Sequence, residues 1–265
     1  MNKAVNLYFW ADNGFARGIT DENRIFGTAK DNEGQIYLNP QSWAMLSGAA
    51  SPEQQQLMIK AITEQLMTPY GVMMLAPSYT SMVEDIGRIT QKHPGVSENG
   101  SVYNHAAIFY AYSLYQVNEN DLAFDVLKKI IPSLDNADKS GQLAVFVPNY
   151  YRGAYYQYPK QAGRSSQLFN TGTLAWLYRC LVEELCGLKG GNGVLYVAPK
   201  LPSCLNRISG QRLFRGAKLV YVIEKSIQID KLETYLDGEL RPDNQLTNLE
   251  IDKTYQVHIL VPAND

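Results

Sequence analysis

At Gly190–Gly191 the periodicity of this chain changes, and with it the kind of structure its residues can build. Before that point apolar residues recur every three or four positions, as in "SPEQQQLMIKAITEQLM", "VYNHAAIFYAYSLYQV" and "ENDLAFDVLKKII", which is helical spacing. Beyond it, "GVLYVAP", "AKLVYVIEKS", "IQIDKLETYLDGEL" and "TYQVHILVP" are short, β-branched and alternating, the pattern of strands with one buried face. Asp237–Gly238 marks a tight hairpin among them. The chain therefore reads as mostly α plus a β domain, with residues 1–190 helical and residues 191–265 a β-sandwich or jelly-roll-like module.

In the helical part the spacing predicts helices at Pro40–Ala49, from Ser51 onward with Ser51 as N-cap and Pro52 at the first position, at Val102–Val117, at Glu119–Ile131, and after Asn170. In the last of these, Leu174, Leu177, Leu181, Val182 and Leu185 form the expected apolar stripe, closed by Gly187. Residues 1–34, rich in Asp, Asn and Gly, read as loop. The connections Gly71–Gly100 and Pro132–Ser166 are too long for a plain bundle and are expected to carry a site.

Composition narrows the classes of function. At 265 residues, with 45% hydrophobic and 19% charged residues, the chain is globular, and its net charge of −2 provides no basic field for nucleic acid. No apolar run is long enough to span a bilayer. Cys180, Cys186 and Cys204 are odd in number and form no CxxC pair, so neither a disulfide framework nor a zinc cluster is expected. Cys180 reads as a buried thiol, and a reducing cytoplasm as the natural compartment. His93, His105 and His258 lack metal-ligand spacing, and "MNKAVNLYFWADNG" does not read as a signal peptide.

The chemistry-bearing residues gather in "VSENGSVYNH" and "VPNYYRGAYYQYPKQAGRSSQLFNTG", which crowd Tyr, Asn, Gln and Arg together. Rings beside amides and carboxylates suit a sugar, although tyrosines also serve as half-buried loop anchors, and composition leaves both readings open. Asn170, Thr171, Gly172 and Thr173 crowd a helix N-terminus, where free N–H groups favour an anion. His105 reads either as a satisfied structural histidine or as a second ligand for that anion. Glu98, on the turn before Asn99–Gly100, is either directed to a cavity or a surface charge. Ser165 and Ser166 lack a nucleophile elbow, and "KGGNG" lacks the GK[ST] of a phosphate loop. The residues by themselves describe an anion and polyol site on a helical scaffold.

Four separated stretches, "DNEGQIYLNPQSWAMLSGA", "HPGVSENGSVYNHAA", "GRSSQLFNTGTLAWLYRCLVEELCGLKG" and "YLDGE", resemble the C-terminal part of the inverting disaccharide phosphorylases of glycoside hydrolase family 94, which include cellobiose, chitobiose and cellobionic acid phosphorylases and the cyclic β-1,2-glucan synthases. The resemblance implies the second half of an (α/α)6 barrel, to about Leu188, followed by a C-terminal β domain. It implies cleavage of a β-glucoside by inorganic phosphate, as co-substrate without other cofactor or metal, with inversion to α-glucose 1-phosphate. On it the phosphate ligands are His105, Thr171 and Gly172, and Glu98 contacts the acceptor sugar. Arg164 corresponds to the arginine of a "GRGG" stretch, from which "GRSS" departs. "GRSSQLFNTGT" and "RLFRGAKL" resemble the cellobionic acid branch, so Arg152, Lys160 and Arg164 are candidates to pair with an aldonic acid carboxylate.

The family's general acid sits in an Asp-Trp-Asn-Asp motif that this sequence lacks, and Ser97 stands where a basic residue commonly precedes the Glu. The resulting expectation is a fragment that is inactive alone, its acid upstream, with apolar helix faces left to self-association or a homo-oligomer. The competing readings are a piece of a cyclic β-1,2-glucan synthase and a non-catalytic carbohydrate-binding or assembly module.

Overall fold

One helix of the N-terminal region is apolar on nearly every side, and two others pack on it. This is α4 (Asn104–Gln116), in which Ala106, Ala107, Ile108, Tyr110, Ala111, Leu114 and Tyr115 are all fully buried. A helix without a polar face belongs at the centre of a core. The computed structural model describes residues 1–167, 169 and 171–263, and the chain resolves into two compact units, Met1–Leu177 and Tyr178–Asp265.

The first unit holds α1 (Asn2–Phe9), α2 (Leu38–Leu46), α3 (Pro52–Gln65), α4, α5 (Asn120–Ile130), α6 (Ala137–Ser140) and all but the last residue of α7 (Thr173–Tyr178). Both α2 and α5 pack on α4, whose alanines permit close approach. Helix α5 turns Ala123, Val126, Leu127 and Ile130 inward and ends in Lys128 and Lys129, cations that suit the negative end of its dipole. Burying each of Val126, Leu127 and Ile130 stabilises the unit by roughly 1.5–3 kcal/mol, so Leu127→Ala removes packing that no surface contact replaces. Helix α3 starts as its sequence predicts. The Gln54 amide donates to Ser51 Oγ at 3.3 Å, the Ser51 amide donates to Gln54 Oε1 at 2.8 Å, and Pro52 occupies the first turn, where its missing N–H is not needed.

Other local expectations require correction. Residues 1–34 contain α1 and two short ladders, β1 (Trp10–Ala11) with β2 (Gly14–Phe15) and β3 (Gly18–Ile19) with β4 (Ile25–Phe26), so this stretch is not simply loop. Gln41 on α2 explains part of the order: its buried amide accepts from the Phe15 N–H at 2.7 Å and donates to the Phe15 carbonyl at 2.8 Å. Helix α2 begins at Leu38, ahead of Pro40, because a proline fits anywhere in the first turn.

The long connections are also paired. Strands β5 (Ile36–Tyr37), β6 (Met67–Thr68), β7 (Gly71–Val72) and β8 (Leu75–Ala76) follow, with β5 paired to β8 and β6 to β7. Then β9 (Val102–Tyr103), β10 (Tyr150–Tyr151) and β11 (Ser165–Ser166) form a three-stranded antiparallel sheet with β10 central. Buried backbone groups need partners, and these short ladders supply them.

The second unit opens with the π-helical turns Arg179–Leu185, followed by β12 (Leu188–Gly191), β13 (Val194–Val197), β14 (Arg207–Phe214), β15 (Ala217–Ser226), β16 (Glu233–Leu236), β17 (Glu239–Arg241), β18 (Gln245–Leu246) and β19 (Thr254–Pro262). One sheet has the order β12-β13-β18 and a larger one β14-β15-β19-β16-β17, in which only β15 and β19 run parallel. Leu219, Ile223, Tyr255, Val257 and Ile259 face inward while Lys218, Thr254, Gln256 and His258 face out, the period of two read from the sequence. Asp237 (φ 51) and Gly238 (φ 86) make the expected hairpin turn, with Leu236 opposite Glu239. The unit starts earlier than the compositional step at Gly190 because the turns 179–185 pack on β12.

Those π turns also overturn the expected apolar stripe. Leu177, Cys180 and Leu185 are buried, but Leu181 and Val182 are only half-buried and Leu174 is 51% exposed. Widening the turn shifts the helical phase, so a 3.6-residue stripe cannot be kept across it. Glu184 falls on the inner side instead, with its carboxylate 2.8 Å from Lys200 Nζ. Cys180 is the buried thiol the sequence suggested, and burial pushes its pKa up.

Candidate functional site

The turn of "SENG" is built before any ligand arrives. Asn99 is fully buried, donating to the carbonyls of Tyr79 at 2.8 Å and Lys92 at 2.7 Å while its Oδ1 accepts from the Tyr79 amide at 2.8 Å. This locks the Val96–Asn99 bridge and leaves Glu98 on the turn, half-buried. The Tyr150 hydroxyl donates to Glu98 Oε1 at 3.1 Å, and burial together with the neighbouring carboxylate pushes the Tyr150 pKa up.

Tyr150 lies opposite Tyr103 in the β9–β10 register, and the two rings stack with centroids 4.4 Å apart at 14°. From that stack the Tyr103 hydroxyl reaches Thr171 Oγ1 at 3.2 Å and His105 Nδ1 at 3.5 Å. Thr171 Oγ1 and His105 Nδ1 are themselves 3.1 Å apart. Gly172 completes the group, since a Cβ on it would lie 2.4 Å from His105 Nε2, so only glycine lets this backbone approach the imidazole. The Trp176 amide donates to the Gly172 carbonyl at 3.1 Å, which makes Gly172 the cap of the helix and leaves the amides of the first turn outside its ladder.

The imidazole has an apolar backing. Its ring lies 4.5 Å from Phe109, which sits 4.8 Å from Trp176 and 5.2 Å from Trp43. Burial lowers the His105 pKa, because the imidazolium loses water there. A neutral imidazole, a hydroxyl and the amides of the helix's first turn form a compact set of donors that an oxyanion would satisfy.

The structure thus brings together His105, Thr171 and Gly172, and links them to Glu98 through two tyrosines. The cationic candidates are placed differently. Arg152 and Arg164 meet through the backbone, the Arg152 amide donating to the Arg164 carbonyl at 2.7 Å. Arg152 follows directly on β10, Arg164 is exposed and reaches toward Gly141, and Lys160 is exposed in the turn before Gly163. Among the described residues no side-chain hydrogen bond or ion pair joins these three to Glu98 or His105. Asn170, part of the expected anion site, lies outside the described residues. Sequence reasoning did not single out Tyr103, Tyr150, Phe109 or Trp176. Tyr103 stands two residues before His105 in the motif, but only strand register reveals its partner. Of the other loop tyrosines, Tyr151 is a buried anchor donating to the Ile130 carbonyl at 3.1 Å, whereas Tyr156 is 59% exposed.

Among the described residues no group of His, Cys, Asp and Glu is arranged to hold a metal, and no helix is long and apolar enough to cross a membrane. By fold and site this is a helical domain with a tyrosine-walled polar centre, continued by a sheet module. Residues 1–187 match the catalytic domain of the glycosyl hydrolase 94 superfamily, and the chain belongs to that family. It is 46% identical over 264 residues to the cellobionic acid phosphorylase of Neurospora crassa, covering 98% of this chain and 33% of that protein. It is 33% identical over 240 residues to the 3-O-beta-D-glucopyranosyl-beta-D-glucuronide phosphorylase of Paenibacillus borealis, covering 89% of this chain and 31% of that one. Similarity extends to the cyclic beta-(1,2)-glucan synthase NdvB of Rhizobium meliloti, 29% identical over 212 residues, 77% of this chain and 7% of the synthase. The chain thus spans about a third of the length of the phosphorylases it matches.

Proposed function

We propose that this chain supplies the phosphate and acceptor side of the centre of an inverting disaccharide phosphorylase, on the second half of an (α/α)6 barrel followed by a β-sandwich-like module. The observation that carries the reading is the 3.1 Å approach of Thr171 to His105 with Gly172 against the same ring, which joins residues from distant motifs into one oxyanion cradle. Phosphate held there attacks the anomeric carbon. The C–O bond to the acceptor breaks as an acid protonates the leaving oxygen, and inversion leaves α-glucose 1-phosphate. Phosphate is itself the nucleophile, so no second carboxylate base is needed. Bound phosphate also favours the protonated imidazole that burial disfavours in the free site.

Glu98, fixed by Tyr150, holds a hydroxyl of the acceptor. Two of the relatives are named for saccharides that bear a carboxylate, which supports an aldonic or uronic acid acceptor met by Arg152 and Arg164. The Asp-Trp-Asn-Asp motif expected to supply the acid is not in this sequence, so the acid is assigned to a segment outside it. Similarity to the glucan synthase supports, as a second reading, a phosphorylase-like region within such an enzyme.

The test is phosphate release from α-glucose 1-phosphate with gluconate, glucuronate, glucose or N-acetylglucosamine, by this chain alone and with a segment carrying the acid motif added. The expected result is silence alone and turnover with an acidic sugar after addition. Turnover by the chain alone would place the acid within it, with Glu98 the first residue to mutate, and failure to bind phosphate at all would sink the reading.

A further inference from the structure

The outer face of the five-stranded sheet carries a groove of about 470 Å³ that has no part in the phosphate centre. Strand register places Val222, His258 and Tyr235 side by side across β15, β19 and β16, with Arg207, Glu224 and Leu260 forming the adjoining row. Val220, Val222 and Leu260 make the floor, and Arg207, Tyr235, Gln256 and His258 stand around it.

The polar groups there are already organised. Glu224 accepts from His258 Nε2 at 2.8 Å through one oxygen and pairs with Arg207 Nε at 3.4 Å through the other. Tyr235 donates to Glu233 Oε2 at 2.7 Å, which holds its ring 6.4 Å from the His258 ring at 37°. Each of these side chains still has hydrogen-bonding capacity toward solvent, since His258 is 47% and Arg207 61% exposed.

We infer that this groove binds a neutral oligosaccharide. A fixed aromatic ring offers a stacking surface to the C–H face of a sugar, while a guanidinium, a carboxylate, an imidazole and the Gln256 amide match its hydroxyls. Arg207 and Glu224 cancel in charge and Glu233 beside Tyr235 adds a negative one, so the groove has no positive field to select a phosphate, a nucleic acid or an acidic sugar. Its volume lies in the range of small-molecule sites and suits two or three sugar units. The inference stands on this face alone and not on the phosphorylase reading.

The test is calorimetric titration of the whole chain with cellotetraose, laminaritetraose and chitotetraose. At least one is expected to bind saturably, about tenfold more weakly to Tyr235→Ala and Gln256→Ala. Tyr235→Phe, which keeps the ring, is expected to bind within about twofold of the parent, and Lys60→Ala, an exposed position in the other unit, to bind unchanged. Gln256 is exposed, so its variant keeps the test open if Tyr235→Ala does not fold. The inference fails if none of the three sugars binds, or if binding is lost in Glu98→Ala and kept in Tyr235→Ala. It also fails if Tyr235→Ala only abolishes self-association, which would make this face a contact between copies.

Discussion

The proposed phosphate centre and the outer face of the C-terminal sheet are built in opposite ways. The first draws His105, Thr171 and Gly172 from the starts of two helices and backs them with tyrosines from short strands inside long loops. The second takes its residues from successive rungs of long strands, where register alone sets the neighbours. A centre made by convergence is sensitive to one atom at a crossing point, whereas a face made by repetition spreads its dependence over many contacts.

The largest expected effect separates stability from binding. Lys200→Met leaves Glu184, whose side chain is 5% exposed, without its cation, and is expected to destabilise the second unit by about 3 kcal/mol. Thermal unfolding should show that loss while phosphate affinity in the folded chain stays unchanged. Gly172→Ala should do the reverse: its Cβ would lie 2.4 Å from His105 Nε2, so phosphate affinity should fall about a hundredfold with little change in melting temperature. Retained affinity in calorimetry would show that the cradle tolerates displacement and that the contrast between the regions is wrong.

His105→Ala should weaken phosphate binding by about tenfold or more, as loss of a charge-assisted hydrogen bond does, and by more than Arg152→Ala. Equal losses would remove His105 from the ligand set. On the sheet side, Gly238→Ala places a Cβ at φ 86 with nothing within 4 Å, so only backbone strain of about 1 kcal/mol is expected, read from the denaturation midpoint.

The smallest effect is in pH. Burial lowers the His105 pKa, so on acidification the unfolded chain takes up that proton first. Stability from this group is therefore present above the ordinary histidine value of about 6.5 and is lost as pH falls through it toward the folded value. Phosphate bound as proposed would reverse the preference, so binding near neutrality should take up a proton, measurable as a buffer-dependent calorimetric enthalpy and absent in His105→Gln.

Exposed apolar side chains, among them Leu7 at 75%, Phe169 at 66% and Trp43 at 46%, lead to the expectation of concentration-dependent association in sedimentation. A monomer across the whole concentration range would contradict it.

Local pattern alone determined helices α2 to α5, strands β13, β15, β16 and β19, the capped start at Ser51, the hairpin at Asp237–Gly238 and the inward and outward faces of β15 and β19, because each depends on residues within a turn or a strand of one another. Motif resemblance also singled out His105, Thr171, Gly172 and Glu98. Only the tertiary structure decided that Tyr103 and Tyr150 stack to join these residues, that residues 1–34 hold a helix and ladders pinned by Gln41, and that Leu174 faces solvent while Glu184 is buried. Those outcomes depend on strand register, on the phase shift of a π turn and on partners dozens of residues away, and no local pattern records which distant backbone will need a hydrogen bond.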